Sequence, residues 1–165
     1  MKRYIILAEE GERSLISEVE QSLGCSLQDY EVVISGVGAI NVIRSLSCLD
    51  RDAEVLNIGH AGSANFEVGS LVEVTEVRLN HPNVTYPEPV LPLSTLNSKP
   101  STLIQAPCYS NCDFVLQSDY RDCVFDMELA FIAALGFRSL RSIKHVSDNL
   151  SLHAYREQAS GVAPA

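Results

Sequence analysis

Basic residues are scarce in this chain and nowhere clustered: 12 Lys and Arg stand against 21 Asp and Glu in 165 residues, a net charge of −9. A nucleic-acid binder neutralises phosphates with grouped Lys and Arg, so neither nucleic acid nor an anionic membrane surface is expected as a partner. No run approaches the ~18–20 consecutive apolar residues of a membrane span. Ile5–Ala8, followed at once by acids, is too short for a signal peptide. There is no CxxC, and Cys108 and Cys112 lack a nearby His or Cys pair to complete a tetrahedral zinc site. The five cysteines (Cys25, Cys48, Cys108, Cys112 and Cys123) read as reduced, mostly buried thiols of a cytoplasmic protein. Internal repeats and low-complexity tracts are also absent.

What is present describes one soluble domain spanning residues 1–165, with 46% hydrophobic and 20% charged residues and a mean hydropathy of +0.08. Strand-like and helix-like segments alternate. Tyr4–Ala8 is a short apolar run, and Leu15, Ile16, Val19 and Leu23 follow at helical spacing before Gly24. Tyr30–Ser35 is β-branched, Gly36-Val37-Gly38 makes a tight turn, and Ala39–Leu49 offers Ile40, Ile43 and Leu46 as a buried stripe. Glu54–Ile58 reads as a strand that Gly59-His60-Ala61-Gly62 breaks, and Leu71–Val77 alternates as another. Thr102–Gln105 and Cys123–Phe125 are short strand candidates. Met127–Leu135 reads as a helix closed by Gly136, and Ser139–Val146 as a final strand. Between His81 and Pro100 lie five of the seven prolines, an irregular excursion of the same domain. Such alternation predicts an α/β fold with a mostly parallel sheet and helices on its faces. Ligands of these folds gather at the carboxyl ends of strands.

Two kinds of motif stand at those ends. Ser35-Gly36-Val37-Gly38-Ala39-Ile40-Asn41 occupies the place of a dinucleotide fingerprint, but Asn41 stands where the third glycine belongs. The turn still permits close backbone approach, and the following helix N-terminus favours an anion. Four carboxylates also lie at element boundaries: Glu12 before a helix, Asp126 and Glu128 where a strand enters a helix, and Asp148 at a strand end. Singly, each suits a helix-dipole or capping role, and Asp126 is a plausible N-cap.

Taken in order, Ala8-Glu9-Glu10-Gly11-Glu12, Ser35-Gly36-Val37-Gly38, Asn57-Ile58-Gly59-His60-Ala61-Gly62, Val68-Gly69-Ser70-Leu71-Val72, Asp126-Met127-Glu128-Leu129-Ala130 and Val146-Ser147-Asp148-Asn149 resemble the purine/uridine phosphorylase superfamily. The likeness is strongest to its hydrolytic branch, the methylthioadenosine/S-adenosylhomocysteine nucleosidases. Family members usually exceed two hundred residues, so the chain resembles a shortened, divergent member. The resemblance implies a three-layer sandwich around a mixed, mostly parallel sheet. It also implies a homodimer or larger homo-oligomer, a small-molecule nucleoside as ligand, and neither metal nor organic cofactor.

The implied chemistry is cleavage of an N-ribosidic bond, which builds oxocarbenium character on the sugar and negative charge on the departing base. By resemblance Asp148 is the acid that protonates the purine N7, Glu12 activates the attacking water, and Glu128 accepts hydrogen bonds from the ribose 2′ and 3′ hydroxyls. Met127 packs on the sugar face; Gly59, His60 and Ser147 belong to the substrate pocket; and Tyr109 is the candidate for stacking on the base. Asn57 stands where the phosphorylases carry a phosphate-binding arginine, which favours water over phosphate as nucleophile. His60 replaces a small serine of the family pattern, Lys144 an arginine four residues before the aspartate, and Glu9 an apolar residue. A phosphate-dependent phosphorylase, or a nucleoside-binding protein of this fold without the chemistry, are the alternatives.

Overall fold

The computed structural model describes residues 1–80, 88–95 and 103–159. Its elements are β1 (Arg3–Leu7), a 3-10 turn (Glu10–Ser14), α1 (Leu15–Leu23), β2 (Glu31–Ile34), α2 (Gly38–Leu46), β3 (Glu54–Gly62), β4 (Leu71–Leu79), β5 (Leu91–Pro92), β6 (Ile104–Ser110), β7 (Val124–Asp126), α3 (Leu129–Ala134), β8 (Ser139–Asp148) and α4 (Leu152–Ala159). Of the proline-rich excursion, residues 81–87 and 96–100 lie outside the described residues, as does Thr102.

The strands form one mixed sheet in the order β2-β1-β3-β7-β6-β4-β5, with β8 pairing to both β3 and β4. The pairs β1–β2, β1–β3, β3–β8, β4–β6 and β6–β7 are parallel, whereas β3–β7, β4–β5 and β4–β8 are antiparallel. Strand β1 explains why helices flank this sheet. Its alternate side chains enter two apolar clusters, Ile5 and Leu7 joining Leu15 and Val19 of α1, and Tyr4 and Ile6 joining Val42 and Leu46 of α2 and Leu129 and Ile132 of α3. A strand buried on both faces needs a continuous apolar run, and Tyr4–Leu7 supplies it. Ile5, Ile6 and Leu7 are at most 1% exposed, each burial contributing roughly 2 kcal/mol.

Three expectations are corrected here. Gly59–Gly62 does not break β3, which runs on to Gly62 in register with β8; the glycines serve close approach, because a Cβ on Gly59 would lie 2.7 Å from Glu12 Oε2 and one on Gly62 3.0 Å from Asp148 Oδ1. The buried stripe of α2 is Val42 and Leu46, with Ile40 70% and Ile43 49% exposed. This helix carries apolar residues over a wide arc, and packing against the sheet selects the positions four apart. The thiols are not mostly buried: Cys108 and Cys123 are, whereas Cys25, Cys48 and Cys112 are exposed, all five being free.

Two boundaries bear on the site. Helix α3 starts at Leu129 instead of Met127, because Glu128 keeps a non-helical backbone while the Asp126 carboxylate accepts the Leu129 N–H at 2.8 Å. Strand β8 extends to Asp148 through a bulge: Ala61 pairs with Val146 and Gly62 with Asp148, leaving Ser147 as the extra residue. Bulges re-aim side chains at strand ends, and this one brings Ser147 and Asp148 together.

Candidate active site

Residues far apart in sequence line one cleft, which encloses about 500 Å³, part of it open to solvent. Glu12 enters from the 3-10 turn, His60 and Gly62 from the end of β3, Met127 and Glu128 from the link between β7 and α3, Asp148 from the end of β8, and Tyr155 from α4. Phe114, Val115 and Phe125 supply apolar wall. Among the described residues lining it, Glu12, Asp113, Asp126, Glu128 and Asp148 are carboxylates, and none is Lys or Arg. No group of three or more His, Cys, Asp or Glu among the described residues is placed to hold a metal ion.

Glu12 is buried, and backbone N–H groups hold its carboxylate in place: Ala8 and Glu9 donate to Oε1 at 2.7 and 3.1 Å, and His60 to Oε2 at 2.7 Å. Closing a capping box, it ties the 3-10 turn to β3. Burial pushes its carboxyl upward despite the Lys144 charge and those three donors, making it a stronger base than an exposed glutamate.

Behind the cleft Lys144, 1% exposed, pairs with Asp126 at 3.0 Å. Burial alone would raise the Asp126 carboxyl and lower the Lys144 ammonium. Their attraction wins on both sides, aided on Asp126 by donors from Ser110 Oγ and the Leu129 N–H, so Asp126 lies below its ordinary value and Lys144 above. Glu128 receives the opposite treatment. Burial, reinforced by the Asp126 charge, pushes it up to about 8, while Gly38 N–H donates to its Oε2 at 2.9 Å. The acceptor at the N-terminus of α2 is therefore the protein's own Glu128 carboxyl. Gly36 and Gly38 make this turn possible with φ of +85° and +86°.

Asp148 has no solvent exposure. Burial raises its carboxyl, against donors from Ser147 Oγ at 2.7 Å and the Leu150 N–H at 2.8 Å. A hydroxyl donates and accepts, so Ser147 can hold Asp148 in either protonation state. Leu150 adopts φ 68° to close that turn, and Asn149 ties it down through bonds to the Ser63 and Phe66 carbonyls.

Glu12, His60, Met127, Glu128 and Asp148 thus share the cleft, as the sequence reading expects. Gly59 and Ser147 lie behind it, one leaving room for Glu12 and the other bonded to Asp148. Tyr109 is outside the cleft-lining set. Its ring backs Phe125 at 6.0 Å and stacks with Tyr120 at 5.0 Å, under the Arg78 guanidinium. Its neighbours Cys108 and Ser110 both donate to Asp126, so strand alternation turns Tyr109 the other way. Phe114 takes the cleft position instead. Asn57 is also remote, its amide bonded to the Ile6 carbonyl and to Ser142 Oγ. Sequence reasoning missed Phe114, Phe125 and Tyr155; the aperiodic stretch after Ser110 gave no register for the first.

Chemically, the cleft presents three buried carboxyls with raised proton affinity, Glu12, Glu128 and Asp148, and no lining Lys or Arg among the described residues. That combination suits proton transfer at both ends of one bond in a neutral ligand.

No protein-family model and no curated protein matches the sequence. Solved structures do match the fold. A 5′-methylthioadenosine/S-adenosylhomocysteine nucleosidase of Colwellia psychrerythraea, in complex with adenine, superposes with TM-score 0.72 and 20% identity, covering 98% of this chain and 89% of that one. The nucleosidase of S. pneumoniae with a transition-state inhibitor gives TM-score 0.71 and 20% identity, covering 95% and 91%. Futalosine hydrolase of Helicobacter pylori strain 26695 gives 0.68 and 16%, covering 98% and 90%. The fold is that of these nucleosidases and of futalosine hydrolase.

Proposed function

We propose that this protein is a divergent nucleosidase that hydrolyses the N-glycosidic bond of a purine nucleoside or a 5′-modified adenosine. The observation that carries the reading is the convergence of Glu12, Met127, Glu128 and Asp148 on one cleft from three separate segments.

In this reading the nucleoside lies across the cleft with its base towards Asp148 and its sugar over Met127. Glu128 accepts hydrogen bonds from the 2′ and 3′ hydroxyls and fixes the ring. Glu12, with its carboxyl raised by burial, takes a proton from the water that attacks C1′. As the bond between C1′ and N9 breaks, Asp148 gives its proton to N7, so the base departs neutral. The raised affinity of Asp148 for its proton keeps it in the donating form. Phe114 and Phe125 offer apolar surface to the base.

Among the described residues no Lys or Arg lines the cleft, which favours water over phosphate as the nucleophile, since a dianion would find no guanidinium to hold it. The active protein is proposed to be a homodimer or larger homo-oligomer in the cytoplasm, without metal or organic cofactor. No helix of the described residues is long and apolar enough to cross a membrane.

The test incubates purified protein with methylthioadenosine, adenosine and inosine, with and without phosphate, and quantifies free base. Phosphate-independent release of base from at least one supports the reading. Release that requires phosphate replaces it with a phosphorylase; binding without any release, at high protein concentration, replaces it with a nucleoside-binding protein.

A further inference from the structure

We propose that His60, with Tyr155 beside it, forms a polar subsite that selects nucleosides carrying a 5′-hydroxyl over those carrying a 5′-thioether. The inference rests on the nucleosidase reading above and narrows its substrate class.

The observation that calls for it is an imidazole without partners. His60 lines the cleft, is 8% exposed, and neither Nδ1 nor Nε2 has a hydrogen-bond partner among the described residues. Buried polar side chains in native proteins are paired, and the exceptions await a water, an ion or a ligand. Two rings approach His60: His145, its cross-strand neighbour on β8, at 5.4 Å, and Tyr155 at 6.4 Å, both edge-on. Tyr155 also lines the cleft, and its hydroxyl donates to Glu9 Oε2 at 3.2 Å. This wall therefore carries polar groups where an alkyl substituent would need apolar ones.

A nucleoside has three hydrogen-bonding regions: the base edge, the 2′,3′-diol and the 5′ group. The proposed roles of Asp148 and Glu128 account for the first two, which leaves the 5′ group for His60. A neutral imidazole offers one donor and one acceptor, matching a hydroxyl, which also does both; a thioether sulfur is only a weak acceptor. Burial holds His60 neutral, at about 4. A 5′-phosphate would find no Lys or Arg among the described lining residues to pair with, so the class is nucleosides and not nucleotides.

The test uses two C-nucleosides, the analogues of adenosine and of methylthioadenosine whose carbon–carbon bond to the base resists hydrolysis. Their affinities are measured by calorimetry on the full chain. The wild type is expected to bind the hydroxyl compound about ten-fold tighter, the worth of one hydrogen bond at a buried site. His60→Ala should collapse that ratio towards one, and His60→Asn, which keeps a donor and an acceptor, should retain part of it. A wild-type preference for the thioether, or a ratio unchanged in both variants, overturns the proposal while leaving the nucleosidase reading intact. Equal loss of kcat by His60→Ala on adenosine and methylthioadenosine, with the ratio unmoved, assigns His60 to the water and also overturns it. Failure of the wild type to bind either compound refutes the site reading itself, and this one with it.

Discussion

Replacing Lys144 by Met keeps the volume of a buried side chain and deletes the charge that balances Asp126. The pair is 3.0 Å apart, with side-chain exposures of 2% and 0%, so water cannot compensate the carboxylate left behind. Breaking a buried pair by removing one partner costs about 3–5 kcal/mol. In a domain of 165 residues, with about 2–4 °C of Tm per kcal/mol, Lys144→Met should melt roughly 6–20 °C lower at pH 7. The deficit has a definite pH dependence. Without Lys144, burial raises the Asp126 carboxyl above its unfolded value, so the uncompensated charge is present at neutral pH and is relieved by protonation as pH falls. Urea unfolding of wild type and variant between pH 4 and 8 should show the gap widest at the alkaline end. Adding Asp126→Asn should recover much of the loss, because it removes the stranded charge. A deficit below about 1 kcal/mol at pH 7, or a double variant no more stable than the single one, would refute the argument that this pair holds the floor of the cleft.

Glu128→Gln should act in opposite directions on stability and binding. The Glu128 carboxyl resists ionisation in the folded protein up to about pH 8, against an ordinary value of 4.5. Its contribution to stability is full below about pH 4.5 and is lost as pH rises to about 8. The variant should therefore gain on wild type across that range in urea titrations, while at pH 9, where Glu128 is ionised, its affinity for the non-hydrolysable adenosine analogue falls about ten- to hundred-fold, the worth of a hydrogen bond to a charged acceptor. Equal affinity would remove Glu128 from the ribose. Gly59→Ala would put a methyl group 2.7 Å from Glu12 Oε2, and three backbone N–H groups hold that carboxylate against moving. We expect kcat to fall at least about ten-fold for a stability loss of roughly 1–3 kcal/mol; an unchanged kcat would show that Glu12 is not where the water is activated.

Much of this was legible in the residues because local pattern and tertiary role agree. The apolar run of β1, the helical spacing of Leu15 and Val19, and acids at strand ends all read correctly from spacing alone. The failures have a common cause. Gly59 and Gly62 look like strand breakers until Glu12 and Asp148, distant in sequence, are seen to need the space. On α2, Ile40 and Ile43 fit a helical stripe as well as Val42 and Leu46 do, and only packing decides between them. Tyr109 has the right chemistry for stacking but lies on the wrong face of β6, a matter of register that composition does not encode. The unpartnered nitrogens of His60 are legible only in three dimensions, since a lone His in sequence carries no sign of whether it is satisfied.

The account stands or falls on Asp148 as the proton donor to a departing base. Adenine release from adenosine by wild type and by Asp148→Asn, at equal protein concentration and without phosphate, measures this directly. The account predicts release by the wild type and a rate about 10²–10⁴-fold lower in the variant, the usual worth of a general acid, with the fold retained. Equal rates in the two proteins, or no release by either, would contradict it.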